Sequence, residues 1–142
     1  MQLRLRRRGD YSVRAMIDVA GHDGDGLRRA RQIADARDIP YKFLTQILAD
    51  LVAEGLLEAR HGPAGGYRLA RAGTEITLLD IVEAAEGPAA VVQCVLREGP
   101  CDRERPCPVH DTWVRAQSAL ARELAATTLA DLARIDGGDR GG

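Results

Sequence analysis

Ile39-Pro-Tyr-Lys-Phe-Leu-Thr-Gln-Ile-Leu-Ala-Asp-Leu-Val-Ala-Glu54 is followed by Gly55-Leu-Leu-Glu-Ala-Arg60 and then by His61-Gly-Pro-Ala-Gly-Gly-Tyr-Arg-Leu-Ala70. In the first segment Leu44, Ile47, Leu48 and Leu51 recur at three- and four-residue steps, the period of a helix that buries one face. Lys42, Thr45, Gln46 and Ala49 recur at the same step on the opposite face, which is polar and carries short side chains. Pro40 suits the first position of this helix, expected over about 41–54, because its missing N–H leaves nothing unsatisfied there. Gly55 stops the helix. Residues 56–60 can then form a strand, the Gly-rich 61–66 a turn, and Tyr67-Arg-Leu-Ala70 a returning strand.

Upstream, a helix from about Arg29 to Arg37, with Ile33 and Ala34 inward, leads through Asp38-Ile39-Pro40 into the 41–54 helix. Two helices joined by a short turn, the second with a polar outer face, describe a helix-turn-helix. A plain helical hairpin with a solvated face would share that pattern. The glycine-tipped hairpin directly after it favours the former, because it has the position of a wing. On this reading Tyr41, Lys42, Thr45 and Gln46 face a DNA groove, where Gln and Thr address base edges and Lys addresses phosphate or guanine. Arg60, His61 and Arg68 give the wing its charge and donors.

A first helix is expected over 10–20, with Val13, Met16, Ile17 and Ala20 as its apolar stripe. Thr77 is a candidate N-cap for a fourth helix, with Asp80 in its first turn. That helix ends near Gly87-Pro88. A long amphipathic helix follows, starting at about Pro108, carrying Trp113, Ala116, Leu120 and Leu124 on one stripe, and running to about Ala126. A short helix over 127–132 and a disordered tail over 136–142 complete the chain. The fold class is therefore mainly α with a small β-wing.

All three cysteines lie in Cys94-Val-Leu-Arg-Glu-Gly-Pro-Cys101-Asp-Arg-Glu-Arg-Pro-Cys107-Pro-Val-His110. Prolines and glycine keep this segment looped. Cysteines that merely filled a core would not all fall in one polar loop, and three cysteines leave a disulfide with one over. Thiolates with a nearby imidazole suit zinc or an iron–sulfur cluster better. Zinc modules usually pair their cysteines two to four residues apart, and this spacing is wider.

Four segments occur in an order that resembles the IscR/NsrR family of bacterial winged-helix regulators, the Rrf-two superfamily. They are Asp10-Tyr-Ser-Val-Arg-Ala-Met16, Ile39-Pro-Tyr-Lys-Phe-Leu44, Gly62-Pro-Ala-Gly-Gly-Tyr67 and the three-cysteine loop. The resemblance covers about residues 1–135. It implies a homodimer on palindromic operator DNA, sensing redox state, nitric oxide or iron–sulfur status through a cluster held by Cys94, Cys101 and Cys107. His110 stands where IscR-like members carry their fourth ligand, and its short spacing from Cys107 makes joint ligation easy. Asp10 stands where some NsrR members carry theirs. His110 leads, which favours [2Fe-2S] over [4Fe-4S]. The family commonly has arginine where this chain has His61, with Arg60 beside it.

The resemblance divides the chain into a DNA-binding domain (1–86), a cluster loop (87–110), a dimerisation region (111–135) and a tail. Two alternatives remain: a metal-free thiol switch on the same scaffold, and a small metal-binding enzyme or redox carrier. Against the last, no catalytic motif occurs: neither a phosphate-gripping glycine loop nor a nucleophile elbow. Net charge is −1, but residues 1–72 hold 13 Lys+Arg against 9 Asp+Glu, and residues 73–142 hold 7 against 12. The basic half fits a polyanion partner. No apolar run of the length a membrane span needs is present, and the basic N-terminus has no apolar stretch after it, so a cytoplasmic location is expected.

Overall fold

The computed structural model describes residues 5–88, 94, 96 and 107–140. Among the described residues, six helices and one two-stranded sheet follow in the order α1 (Arg7–Gly21), α2 (Ala30–Arg37), α3 (Tyr41–Ala53), β1 (Leu57–Arg60), β2 (Gly66–Leu69), α4 (Leu78–Glu86), α5 (His110–Ala126) and α6 (Leu129–Arg140). This is the winged helix expected from the sequence, with the two strands antiparallel in the register Leu57↔Leu69 to Arg60↔Gly66.

Helix α1 is the centre of the molecule, packed against α2, α3, α4, α6 and β2. Its inward residues are consequently more than one stripe. Ser12, Ala15, Met16, Asp18 and Val19 are buried, while Val13, Ile17 and Ala20 are half-buried around the core's edge. The helix also starts earlier than expected. Arg6, in extended conformation, donates its N–H to Glu86 Oε1 at 2.8 Å, which ties the α1 start to the end of α4. Gly9 makes that approach possible, since a Cβ there would lie 2.7 Å from the same Glu86 oxygen.

Between α2 and α3 the chain turns at Asp38, with φ 52 and ψ 51, a left-handed conformation that aspartate tolerates better than most residues. Ile39 is buried beneath the turn and its N–H reaches the Ala34 carbonyl at 3.0 Å. The inner face of α3 is the expected one: Leu44, Ile47, Leu48 and Leu51 are all buried. Full burial of each such side chain contributes about 1.5–3 kcal/mol, enough to fix which face of α3 turns outward. Arg28 adds a third edge to the wing by a reciprocal bridge to Tyr67, with both N–H···O distances 2.8 Å.

The C-terminal half departs from expectation at three points. Helix α5 starts at His110, not Pro108: Pro108 and Val109 form a turn closed by the His110 N–H on the Cys107 carbonyl at 3.0 Å. The last helix is longer than the expected 127–132. The tail assigned to disorder is helical through Arg140, with residues 141–142 outside the described set. Two exposed glycines, Gly137 and Gly138, disfavour that helix by about 1 kcal/mol each. Docking onto α1, burial of Leu129 and an ion pair from α2 to Asp136 oppose this. Thr128 and Asp131 cap the helix start reciprocally, each side chain accepting the other's N–H at 3.1 and 3.2 Å. Thr77 and Asp80 cap α4 in the same manner, as expected. Among the described residues no helix is long and apolar enough to cross a membrane.

Candidate nucleic-acid interface and cysteine loop

With its apolar face in the core, α3 presents Tyr41, Lys42 and Gln46 exposed and Thr45 half-buried. These four share one surface. The Thr45 hydroxyl donates to the Lys42 carbonyl at 3.1 Å, so its methyl and the acceptor lone pairs of its oxygen are what it offers outward. Tyr41 lies under the Arg31 guanidinium, 4.4 Å from ring centroid to Cζ, a cation–π contact that fixes the start of α3 against α2. Phe43 is half exposed beside Arg7, Arg8 and Gln46.

The wing brings Arg60, His61 and the turn beyond them to the surface. Its glycines are there for close approach: a Cβ on Gly65 would sit 2.1 Å from the Arg60 carbonyl oxygen, and one on Gly66 would sit 2.8 Å from that of Arg28. Arg68 is also exposed, but its Nε donates to Glu58 Oε2 at 2.8 Å across the hairpin. It is therefore partly neutralised and braces β1 against β2. Sequence reading missed several cations at this surface. Arg7 and Arg8 open α1, with Arg8 paired to Asp50 of α3, while Arg29 and Arg31 lie at the start of α2. The runs Arg6-Arg7-Arg8 and Arg28-Arg29-Ala-Arg31 were the signal available.

Behind this surface lies a charged centre. Asp18 is fully buried in α1 and accepts from Arg28 Nε at 2.8 Å and Arg37 Nε at 3.0 Å. Arg37 also donates Nη1 and Nη2 to Asp136 of α6 at 3.1 and 3.0 Å. Burial pulls the Arg37 guanidinium down, but its hydrogen bonds to Asp136 and Asp18 outweigh that and hold it above the ordinary arginine value. Arg14 closes the end of α2 by donating to the Arg37 carbonyl at 2.6 Å. The helix-turn-helix is thus fixed on α1 by charge as well as by its apolar face.

Of the cysteine loop, Cys94 and Cys107 are described and both are half-buried; Cys101 lies outside the described residues. Cys107 and the half-buried His110 are joined by one hydrogen-bonded turn at the mouth of α5. Among the described residues no group of three His, Cys, Asp or Glu side chains is gathered tightly enough for a metal. Asp10 is neither a helix cap nor close to that turn in sequence. Its carboxylate binds Arg14 Nε and Nη2 at 3.2 and 2.9 Å.

A core-anchored helix with a polar outer face, next to a glycine-tipped basic wing, defines a winged-helix DNA-binding regulator. The chain belongs to the Rrf2 family, whose sequence model, described as an iron-dependent transcriptional regulator, matches residues 5–135. It is 30% identical over 138 residues to the HTH-type transcriptional regulator CymR of Bacillus subtilis, spanning 97% of this chain and 95% of that one. The solved structure of that protein, the global cysteine regulator, superposes with a TM-score of 0.77 over 94% of this chain and 98% of its own. IscR of T. potens superposes at 0.79 with 28% identity, over 96% and 90% of the two chains. Staphylococcus aureus CymR in an oxidized form superposes at 0.74 with 27% identity, over 92% and 96%. These relatives are transcriptional regulators, and so the chain is a DNA-binding regulator and not an enzyme.

Proposed function

We propose that the chain acts as a homodimer on a palindromic operator and that its cysteine loop senses redox state, nitric oxide or iron–sulfur status through an iron–sulfur cluster. Lys42 and Gln46 read the major groove with Thr45, Tyr41 docks at its edge, and Arg60 and His61 of the wing hold the backbone. Arg68 contributes chiefly by keeping the hairpin straight. The exposed apolar side chain of Leu120 on α5 supports the dimer. Helix α5 has no buried residue, Leu120 is 48% exposed, and α4 is the described element that α5 packs on. A second copy's α5 is the natural cover for such a stripe.

The observation that carries the sensing reading is the turn that joins Cys107 to His110 at the start of this same helix. A thiolate and an imidazole so placed fit a cluster completed by Cys94 and Cys101, with [2Fe-2S] favoured and [4Fe-4S] the alternative if Asp10 replaces His110. When bound, the cluster supplies a centre responsive to redox state or nitric oxide. The protein's part is to fix the start of α5, and occupancy alters DNA affinity only if two arrangements of α5 differ in stability. Anaerobic purification with iron and sulfide analysis tests this reading; iron-free protein contradicts it.

A metal-free thiol switch is the second reading. What favours it is the similarity to CymR, named a cysteine regulator and also solved in an oxidized form.

A further inference from the structure

The wing carries His61 beside Arg60, and the structure brings a further cation to it from another element. Arg29, the residue just before α2, extends to the wing tip and donates Nη2 to the Pro63 carbonyl at 3.3 Å. Arg29, Arg60 and His61 line one concavity of about 310 Å³, shaped by the backbone of Gly62, Pro63 and Gly65. All three side chains are exposed. Arg29 and Arg60 have no carboxylate partner among the described residues, in contrast to Arg68, which has Glu58, and Arg8, which has Asp50. The two arginines around this concavity are therefore not offset by a carboxylate, unlike Arg68 on the hairpin's flank.

We infer that this concavity seats a backbone phosphate of the bound duplex, held jointly by Arg29 and Arg60 with His61 as an added donor. Arg29 is thus a DNA-contacting residue contributed from outside both the recognition helix and the wing. Two arginines lining one open pocket suit a phosphate, because a guanidinium offers a planar fork of N–H donors to paired oxygens. Such a contact carries no base information, so it sets affinity and register rather than sequence choice. The inference rests on the reading of α3 and the wing as the DNA face.

The test uses the full-length protein and two labelled duplexes, one selected by the wild type from a random pool and one scrambled. Binding of wild type, Arg29→Gln, Arg29→Lys and Arg60→Gln is titrated over a range of salt. One lost phosphate contact lowers the salt slope by about 0.9. Arg29→Gln is expected to weaken both duplexes by a similar factor, about three- to tenfold at moderate salt, and to reduce the slope by about one. Arg29→Lys should keep the slope. Arg60→Gln should behave like Arg29→Gln, and the double variant should lose less than the product of the two.

Unchanged affinity and slope in Arg29→Gln would overturn the inference. So would weaker binding at an unchanged slope, which would make Arg29 only a prop for the wing tip through Pro63. Failure of the wider reading looks different. There the wild type selects no duplex, or Gln46→Ala leaves the preference for the selected duplex intact, and the inference falls with it.

Discussion

Arg37 at the end of α2 and Asp136 in α6, 99 residues apart, form a two-bonded ion pair with Nη···Oδ distances of 3.1 and 3.0 Å. The same guanidinium reaches the fully buried Asp18 of α1 through Nε. One arginine, just before the turn into α3, therefore joins the central helix to the last helix.

Removal of Arg37 is expected to harm stability more than removal of Asp136. Arg37→Gln leaves the buried Asp18 with Arg28 as its remaining guanidinium partner and should cost about 3–5 kcal/mol, the range for breaking a buried pair from one side. Asp136 is 30% exposed in its side chain, and water can replace part of what Asp136→Asn takes away, so about 1 kcal/mol is expected. Urea denaturation midpoints of the two variants decide it. Equal losses would mean that Asp18 is not the group that needs Arg37.

Acid should loosen the start of α6 before the core. Bonding to Thr128 and the nearby Arg134 hold the Asp131 carboxyl below the usual aspartate range. A carboxyl depressed in the folded state adds stability above its unfolded pKa of about 3.9, and that contribution is lost as pH falls through the lower folded value. The raised Arg37 has the opposite sign, adding stability below its unfolded pKa, and it titrates too high to contribute any change in the acid range. An NMR titration should place the Asp131 midpoint below 3.9 in wild type and return it upward in Thr128→Ala. No difference between the two would contradict the capping assignment.

Gly65→Ala should leave the fold intact and damage the wing. The added Cβ would collide with the Arg60 carbonyl oxygen, which is backbone and cannot swing aside. The turn must reshape, displacing Arg60 and His61. A loss of DNA affinity on the order of tenfold is expected, while the circular dichroism melt stays within a few degrees of wild type. Undiminished affinity would mean that the wing tip makes no contact.

Within α3 the exposed residues should separate by role. Gln46→Ala should relax discrimination between the selected and a point-mutated duplex, by about 1–3 kcal/mol at one base position. Lys42→Ala should in addition weaken all duplexes and lower the salt slope by about one, because its ammonium carries charge into the groove as Gln46 does not. Identical behaviour of the two variants would show that α3 lies along the backbone and not in the groove.

Residues 39–70 could be read from sequence because their information is local. A 3.6-residue period fixed the inner face of α3, and Gly55 and the Gly62–Gly66 run marked the two turns. The burial of α1 was less legible, since a helix enclosed by five elements has no single apolar stripe. Helix α6 was misjudged for a different reason. Gly137 and Gly138 signal disorder locally, and what holds the segment is Arg37, which no window of sequence could pair with Asp136. Arg28's bridge to Tyr67 is one residue long and has no periodicity to detect. At the candidate site, the sequence identified the outward α3 residues but could not tell that Arg68 is held by Glu58 or that Arg29 reaches the wing.

Coupling of DNA binding to a cluster in the 94–110 loop is decided by anaerobic purification with visible absorption and iron-to-sulfide analysis. Wild type, His110→Ala and Asp10→Ala are compared, each titrated afterwards with the selected duplex before and after removal of iron. The wild type should be coloured and hold iron and sulfide, its spectrum should change with His110→Ala and not with Asp10→Ala, and its DNA affinity should change when the iron is removed. A colourless, iron-free protein whose DNA binding responds only to thiol oxidants would contradict that coupling.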